Sequence, residues 1–186
     1  MSVTRLYLVR HGRASAGWDT AIDPQLDELG HRQSLELAQQ LVPLGPMHVV
    51  TSPLRRCQQT ALPLCEMWNT NAEIRSEVAE IPSPQGVSIS DRVEWLRLAM
   101  GGTWGSLDAR YTKYRDELVK FAFQLVADTV VFSHFVAINA IIGAINGDDR
   151  LVSYRLDNCS VTVIDHDDAG GLKLVRIGRE ADTLIR

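Results

Sequence analysis

An almost unbroken apolar run, Leu6-Tyr7-Leu8-Val9, leads directly into Arg10-His11-Gly12. A strand with one face in water alternates apolar and polar residues. A run that is apolar throughout marks a strand covered on both faces, as in the mostly parallel sheets of α/β proteins. Such sheets hold ligands outside the carboxyl ends of their strands, which puts Arg10 and His11 at the edge of a cleft. Gly12 lets the backbone turn sharply or come close to a ligand. By itself, the tripeptide equally fits a satisfied strand-end histidine beside a surface arginine.

Two further runs of the same kind change that balance: Met47-His48-Val49-Val50-Thr51 and Thr129-Val130-Val131-Phe132. Between the strands the pattern turns helical. Leu26, Leu29, Leu37 and Leu41, with Gln33 on the same stripe, predict a helix capped by Asp27 and ended across Pro43 to Pro46. Ser52-Pro53 predicts the start of a second helix, with Pro53 in its first turn and Pro63 disturbing its second half. That helix carries Arg55, Arg56, Gln58, Gln59 and Thr60. Residues 69–80 read as a connection with a short extended piece around Ile74. Ser90-Asp91 can cap a short helix through Val93, Leu96 and Met100, and residues 107–126 carry a longer one. After Ser133-His134 comes an apolar helix from Phe135 to about Ile145. Residues 160–164 read as a strand, 167–171 as a turn and 172–177 as its hairpin partner. The expected fold is a three-layer α/β sandwich with a mostly parallel central sheet and an antiparallel edge. The whole of 1–186 is expected to form a single domain.

With 45% hydrophobic and 23% charged residues, the composition is that of an ordinary globular protein. A net charge of −4 argues against a nucleic-acid partner, whose footprint would be basic. No apolar run approaches membrane-spanning length, and nothing at the N-terminus resembles a signal peptide. Cys57, Cys65 and Cys159 are few, scattered and odd in number, which points to the reducing cytoplasm and away from disulfides. No His, Cys, Asp or Glu cluster has metal-ligand spacing, so neither metal nor cofactor is expected. Oligomeric state is not readable.

Three strands thus end in ionisable groups: Arg10 and His11, Arg56 in the helix after the second strand, and His134 before the last helix. Two arginines, two histidines and helix N-termini at one sheet edge would form an oxyanion trap suited to a phosphate monoester. One histidine can supply further positive charge. The other, if neutral, can attack phosphorus in line, and no metal is then needed to neutralise the equatorial oxygens.

Several blocks resemble the histidine phosphatase superfamily, the phosphoglycerate mutase-like family. Leu8-Val9-Arg10-His11-Gly12 resembles its RHG signature, and Asp23 to Gly30 followed by Gln33 resembles its next block. Thr51-Ser52-Pro53-Leu54-Arg55-Arg56-Cys57-Gln58-Gln59-Thr60-Ala61 is similar to its SPLxRAxQTA block. Val78-Ala79-Glu80, Val131-Phe132-Ser133-His134 and Asp157-Asn158-Cys159-Ser160-Val161 resemble later ones, in the family's order. The resemblance implies that His11 becomes a phosphohistidine. It implies that Arg10, Arg56 and His134, with Gly12, hold the phosphoryl group, and that Glu80 protonates the leaving oxygen and later deprotonates water. Glu77 and Asp91 are the substitutes for Glu80. In this register Arg56 binds phosphate and Arg55 is exposed.

Two departures stand out. Phe135 replaces the family's usual glycine after the second histidine, where it could narrow the pocket or shift a backbone amide. Ala14 offers no hydroxyl to the phosphate. The expected function is a metal-independent phosphomonoesterase acting on a phosphorylated small molecule or phosphoprotein. The alternatives are a mutase-type phosphotransferase and a phosphate-binding module with little turnover. Specificity is expected from 13–18, where Trp18 covers part of the cleft, and from 82–105. His48 is expected to be structural, and His31 and His166 solvated.

Overall fold

The computed structural model describes residues 3–166 and 171–182. One six-stranded sheet runs through them in the order β3-β2-β4-β1-β5-β6. β1 (Arg5–Arg10), β2 (His48–Thr51), β3 (Glu73–Ile74) and β4 (Thr129–Ser133) are parallel. β5 (Val161–His166) and β6 (Leu172–Arg176) complete the expected antiparallel edge. The turn expected over 167–171 lies largely outside the described residues.

The strands' period of two sorts their side chains between two cores. Leu6, Leu8, Val50 and Val131 face α3 (Arg92–Met100), α4 (Ala109–Gln124) and α5 (Phe135–Asn146). Val9, Val49, Val130 and Phe132 face α1 (Glu28–Leu41) and α2 (Arg55–Trp68). Apolar cover on both sides is why the central strands read as unbroken apolar runs, and it makes the three layers of the expected sandwich.

Asp27 caps α1 as expected, its Oδ1 accepting the Gly30 N–H at 2.8 Å. Other local expectations are corrected. α2 begins at Arg55, so Pro53 precedes the helix rather than sitting in its first turn. Pro63 lies within α2 without ending it. An interior proline costs about 3 kcal/mol, but Ala61, Leu64 and Cys65 are buried against the sheet on either side and hold the helix on course. The side chain of Asp91 does not cap α3; its carboxylate accepts from the Ser88 hydroxyl instead, at 2.7 Å. His166 is not simply solvated, since its Nε2 donates to the Ala122 carbonyl at 3.1 Å. His31 is exposed, and His48 pairs with Glu73 at the surface. No helix among the described residues is long and apolar enough to cross a membrane.

Candidate active site

Arg10 at the end of β1 is in register with Ser133 at the end of β4. The chain therefore leaves both strands side by side, with the His11 N–H donating to the Ser133 carbonyl at 3.1 Å. The rings of His11 and His134 meet edge-on, centroids 5.2 Å apart. Arg56, from the first turn of α2, reaches both. Its Nε donates to Nε2 of His11 at 3.1 Å and its Nη2 to Nδ1 of His134 at 3.1 Å. Its remaining nitrogen, Nη1, is buried with no protein partner among the described residues.

These contacts assign the tautomers. Nδ1 of His11 lies 2.8 Å from the Gly12 carbonyl, which can only accept, so Nδ1 carries the proton and Nε2 the lone pair. Nδ1 of His134 accepts from Arg56, leaving Nε2–H to donate to Ser52 Oγ at 2.8 Å. Burial and then the neighbouring Arg56 charge hold both imidazoles well below the usual histidine range, so both are neutral.

Arg10 is buried, with Nη1 donating to the Leu156 carbonyl and the guanidinium lying over the Phe135 ring, 4.9 Å from its centroid. Burial pushes it down to about 10, with the Glu80 and Asp157 carboxylates opposing, so it stays cationic at neutral pH. Glu80 follows a short helical turn and is held from two sides. The Ser133 hydroxyl donates to the Val78 carbonyl at 2.7 Å, and the Tyr114 hydroxyl to the Ala79 carbonyl at 2.8 Å. Burial raises the Glu80 carboxyl above its ordinary value, outweighing the Ile81 and Ala137 N–H groups and the two arginines. Of its proposed substitutes, Glu77 is paired with Arg75 at 2.6 Å and Asp91 is engaged by Ser88, and neither lines the cavity.

Arg10, His11, Arg56 and Glu80 line one cavity of about 400 Å³. Two expected phosphate contacts are placed differently. His134 is fully buried behind His11 and Arg56 and contributes no cavity wall. The Gly12 N–H donates to Thr60 Oγ1 at 3.0 Å, and Gly12 does not line the cavity either. Close packing explains this glycine: an added Cβ would lie 2.8 Å from the Gly30 carbonyl oxygen, and one on Gly30 would lie 2.2 Å from that of Arg13. The loop after β1 and the start of α1 thus touch through their backbones.

Sequence reasoning missed the side chains that fix the loop backbones. The Asn158 amide donates to the His11 carbonyl at 2.9 Å. The signal was topological: β5 is antiparallel to β1, so the residues preceding β5 lie at the edge where β1 ends. Gln33 Oε1 accepts the Arg13 N–H at 2.9 Å, and Gln59 Oε1 accepts the Leu26 N–H at 2.7 Å. Trp18 lines the cavity as expected; Ala14, Phe135, Asp157 and Asp182 line it too.

Comparison with known proteins identifies the family and the fold. A profile of the histidine phosphatase superfamily (branch 1) matches residues 6–179. The chain is 26% identical to "Probable phosphoglycerate mutase GpmB" of Cronobacter sakazakii, over 87% of this chain and 85% of that one. The fold is shared with a mycobacterial glucosyl-3-phosphoglycerate phosphatase at a TM-score of 0.76 and 19% identity, covering 96% of this chain and 100% of the other. It is shared with a phosphoserine phosphatase of Entamoeba histolytica, in complex with 3-phosphoglyceric acid, at a TM-score of 0.76 and 20% identity, covering 96% and 98%. With the match spanning the chain from β1 to beyond β6, the protein belongs to the histidine phosphatase superfamily, branch 1.

Proposed function

We propose that the protein is a phosphomonoester hydrolase working through a phosphohistidine on His11. The observation that carries this reading is the His11 tautomer. With Nδ1–H held by the Gly12 carbonyl, a neutral Nε2 lone pair stands in the cavity wall beside two arginines. In the first step Nε2 forms a bond to phosphorus as the ester P–O bond breaks, and Glu80 gives its proton to the departing oxygen. In the second, water attacks phosphorus, Glu80 takes back a proton, and the P–N bond breaks to release phosphate. A carboxyl raised by burial suits a group that must first act as an acid. Arg10 and the unpartnered Nη1 of Arg56 supply charge-assisted donors to the phosphoryl oxygens. His134 acts through Arg56, whose guanidinium it orients.

Phosphoglycerate mutase chemistry is the second reading, favoured by the names of the sequence relatives. It asks for a further cation to hold the second anionic group of its intermediate. Among the described residues the one other arginine in the wall, Arg13, is already paired with Asp27 at 2.5 Å, and the rim carries Asp157 and Asp182.

The test is rapid-quench trapping with a ³²P-labelled monoester. Acid-labile, base-stable label on the protein, absent in His11→Ala and chased into inorganic phosphate, is expected. Turnover in His11→Ala above about a hundredth of wild type would overturn the nucleophilic role. Label chased onto a second phosphoglycerate in preference to water would support the mutase.

A further inference from the structure

The cavity has two chemically distinct parts. Arg10, His11 and Arg56 make the phosphate end, while Trp18, Leu96, Phe135 and Val136 make an apolar wall beyond it. That wall is preformed. Trp18 stacks on Trp95 at 6.3 Å and 30°, and Trp95 packs on Tyr111 of α4 at 5.1 Å and 33°. Phe135 is held beneath the Arg10 guanidinium. α3 buries Val93, Leu96 and Ala99, and it also presents Leu96 to the cavity and supports Trp18 through Trp95.

The charged groups around the outer part are already matched. Arg13 is paired with Asp27, Asp157 with Arg179 at 2.7 Å, and Asp182 with Arg155. No lining cation other than Arg10, Arg13 and Arg56 is found among the described residues. A leaving group with a carboxylate or a second phosphate would meet aromatic rings and two aspartates, and would be desolvated there without a partner. A ring or branched hydrocarbon would instead stack on fixed side chains that have already lost their rotamer freedom.

Resting on the hydrolase reading above, we infer that the substrate is a monoester of an aromatic or bulky apolar alcohol bearing no second anionic group. A volume of about 400 Å³ is in the range that encloses one compact organic molecule.

The test compares kcat/KM for 2-phenylethyl phosphate, glycerol 2-phosphate and 3-phosphoglycerate. All three are alkyl monoesters, so leaving-group reactivity is similar and the ratios report binding of the organic part. The expected preference for 2-phenylethyl phosphate over glycerol 2-phosphate is about tenfold, with 3-phosphoglycerate poorest. In Trp18→Ala the first ratio should fall toward one. Because both rates come from one preparation, the ratio is independent of the fraction correctly folded. A wild-type ratio near one, a preference for 3-phosphoglycerate, or an unchanged ratio in Trp18→Ala would overturn the inference and leave the hydrolase reading standing. Absence of His11-dependent phosphate release from all three esters would overturn the hydrolase reading itself.

Discussion

Nε of Arg56 donates to Nε2 of His11 across 3.1 Å, so the arginine rests on the lone pair proposed to attack phosphorus. Under the proposed mechanism substrate takes that donor over: as a phosphoryl oxygen receives the guanidinium, Nε2 is released. On that reading Arg56 connects arrival of the anion with exposure of the nucleophile.

Arg56→Ala should therefore lower kcat/KM by about 3 kcal/mol, on the order of a hundredfold, as loss of one transition-state donor does. Arg55 is exposed, one helical position or about 100° away, and its Nη2 donates to Gln25 at 3.1 Å. Arg55→Ala should stay within a few fold of wild type. Steady-state kinetics of both variants decides this, and equal losses would mean that both arginines face the phosphate.

The pH profile should be bell-shaped. His11 must be neutral, and its pKa is held well below the histidine norm, so kcat/KM rises with pH only at the acid end. Glu80 must be protonated for the first step, and its pKa is raised, so kcat/KM falls as pH climbs through that raised value. Glu80→Gln should lose activity and also the alkaline limb. An alkaline limb retained in that variant would assign the acid to another group.

Phe135→Leu keeps an apolar, somewhat smaller side chain but removes the π face under Arg10. A buried cation–π contact contributes about 0.5–2 kcal/mol, so kcat/KM for glycerol 2-phosphate, whose leaving group does not stack on the apolar wall, should drop roughly two- to thirtyfold. Phe135→Tyr, which retains the face, should recover most of the loss. Equal activity in the two variants would reduce Phe135 to packing.

Gly30→Ala should be destabilising despite the helix preference of alanine, because its Cβ would meet the Arg13 carbonyl oxygen at 2.2 Å. Overpacking of this kind costs about 1–3 kcal/mol, or several degrees in Tm for a chain of this size. Activity should fall with it, since the displaced backbone adjoins His11. An unchanged Tm would show that the loop yields freely.

The central strands and the histidine–arginine cluster were legible because both rest on local signals: apolar runs, and charged residues placed just beyond them. Asp27 was legible as a cap for the same reason. Pro63 misled because packing of Leu64 and Cys65 outweighs a local penalty. The position of His134 behind Arg56, and the roles of Asn158 and Tyr114, depend on which strands are neighbours. That information lies in the pairing of distant segments rather than in any window of sequence.

The same pairing constrains the order in which the protein is made. β1 sits between β4 and β5, and the Asn158 amide that holds the His11 carbonyl comes from 147 positions further along the chain. A nascent polypeptide emerging from the ribosome carries its RHG segment for most of synthesis with neither flanking strand available. Chain closure over such separations is slow, and an apolar strand open on both edges invites pairing with other chains. Premature termination anywhere before β5 would leave that strand unprotected on at least one side, so a shortened product should precipitate rather than persist as a weak enzyme.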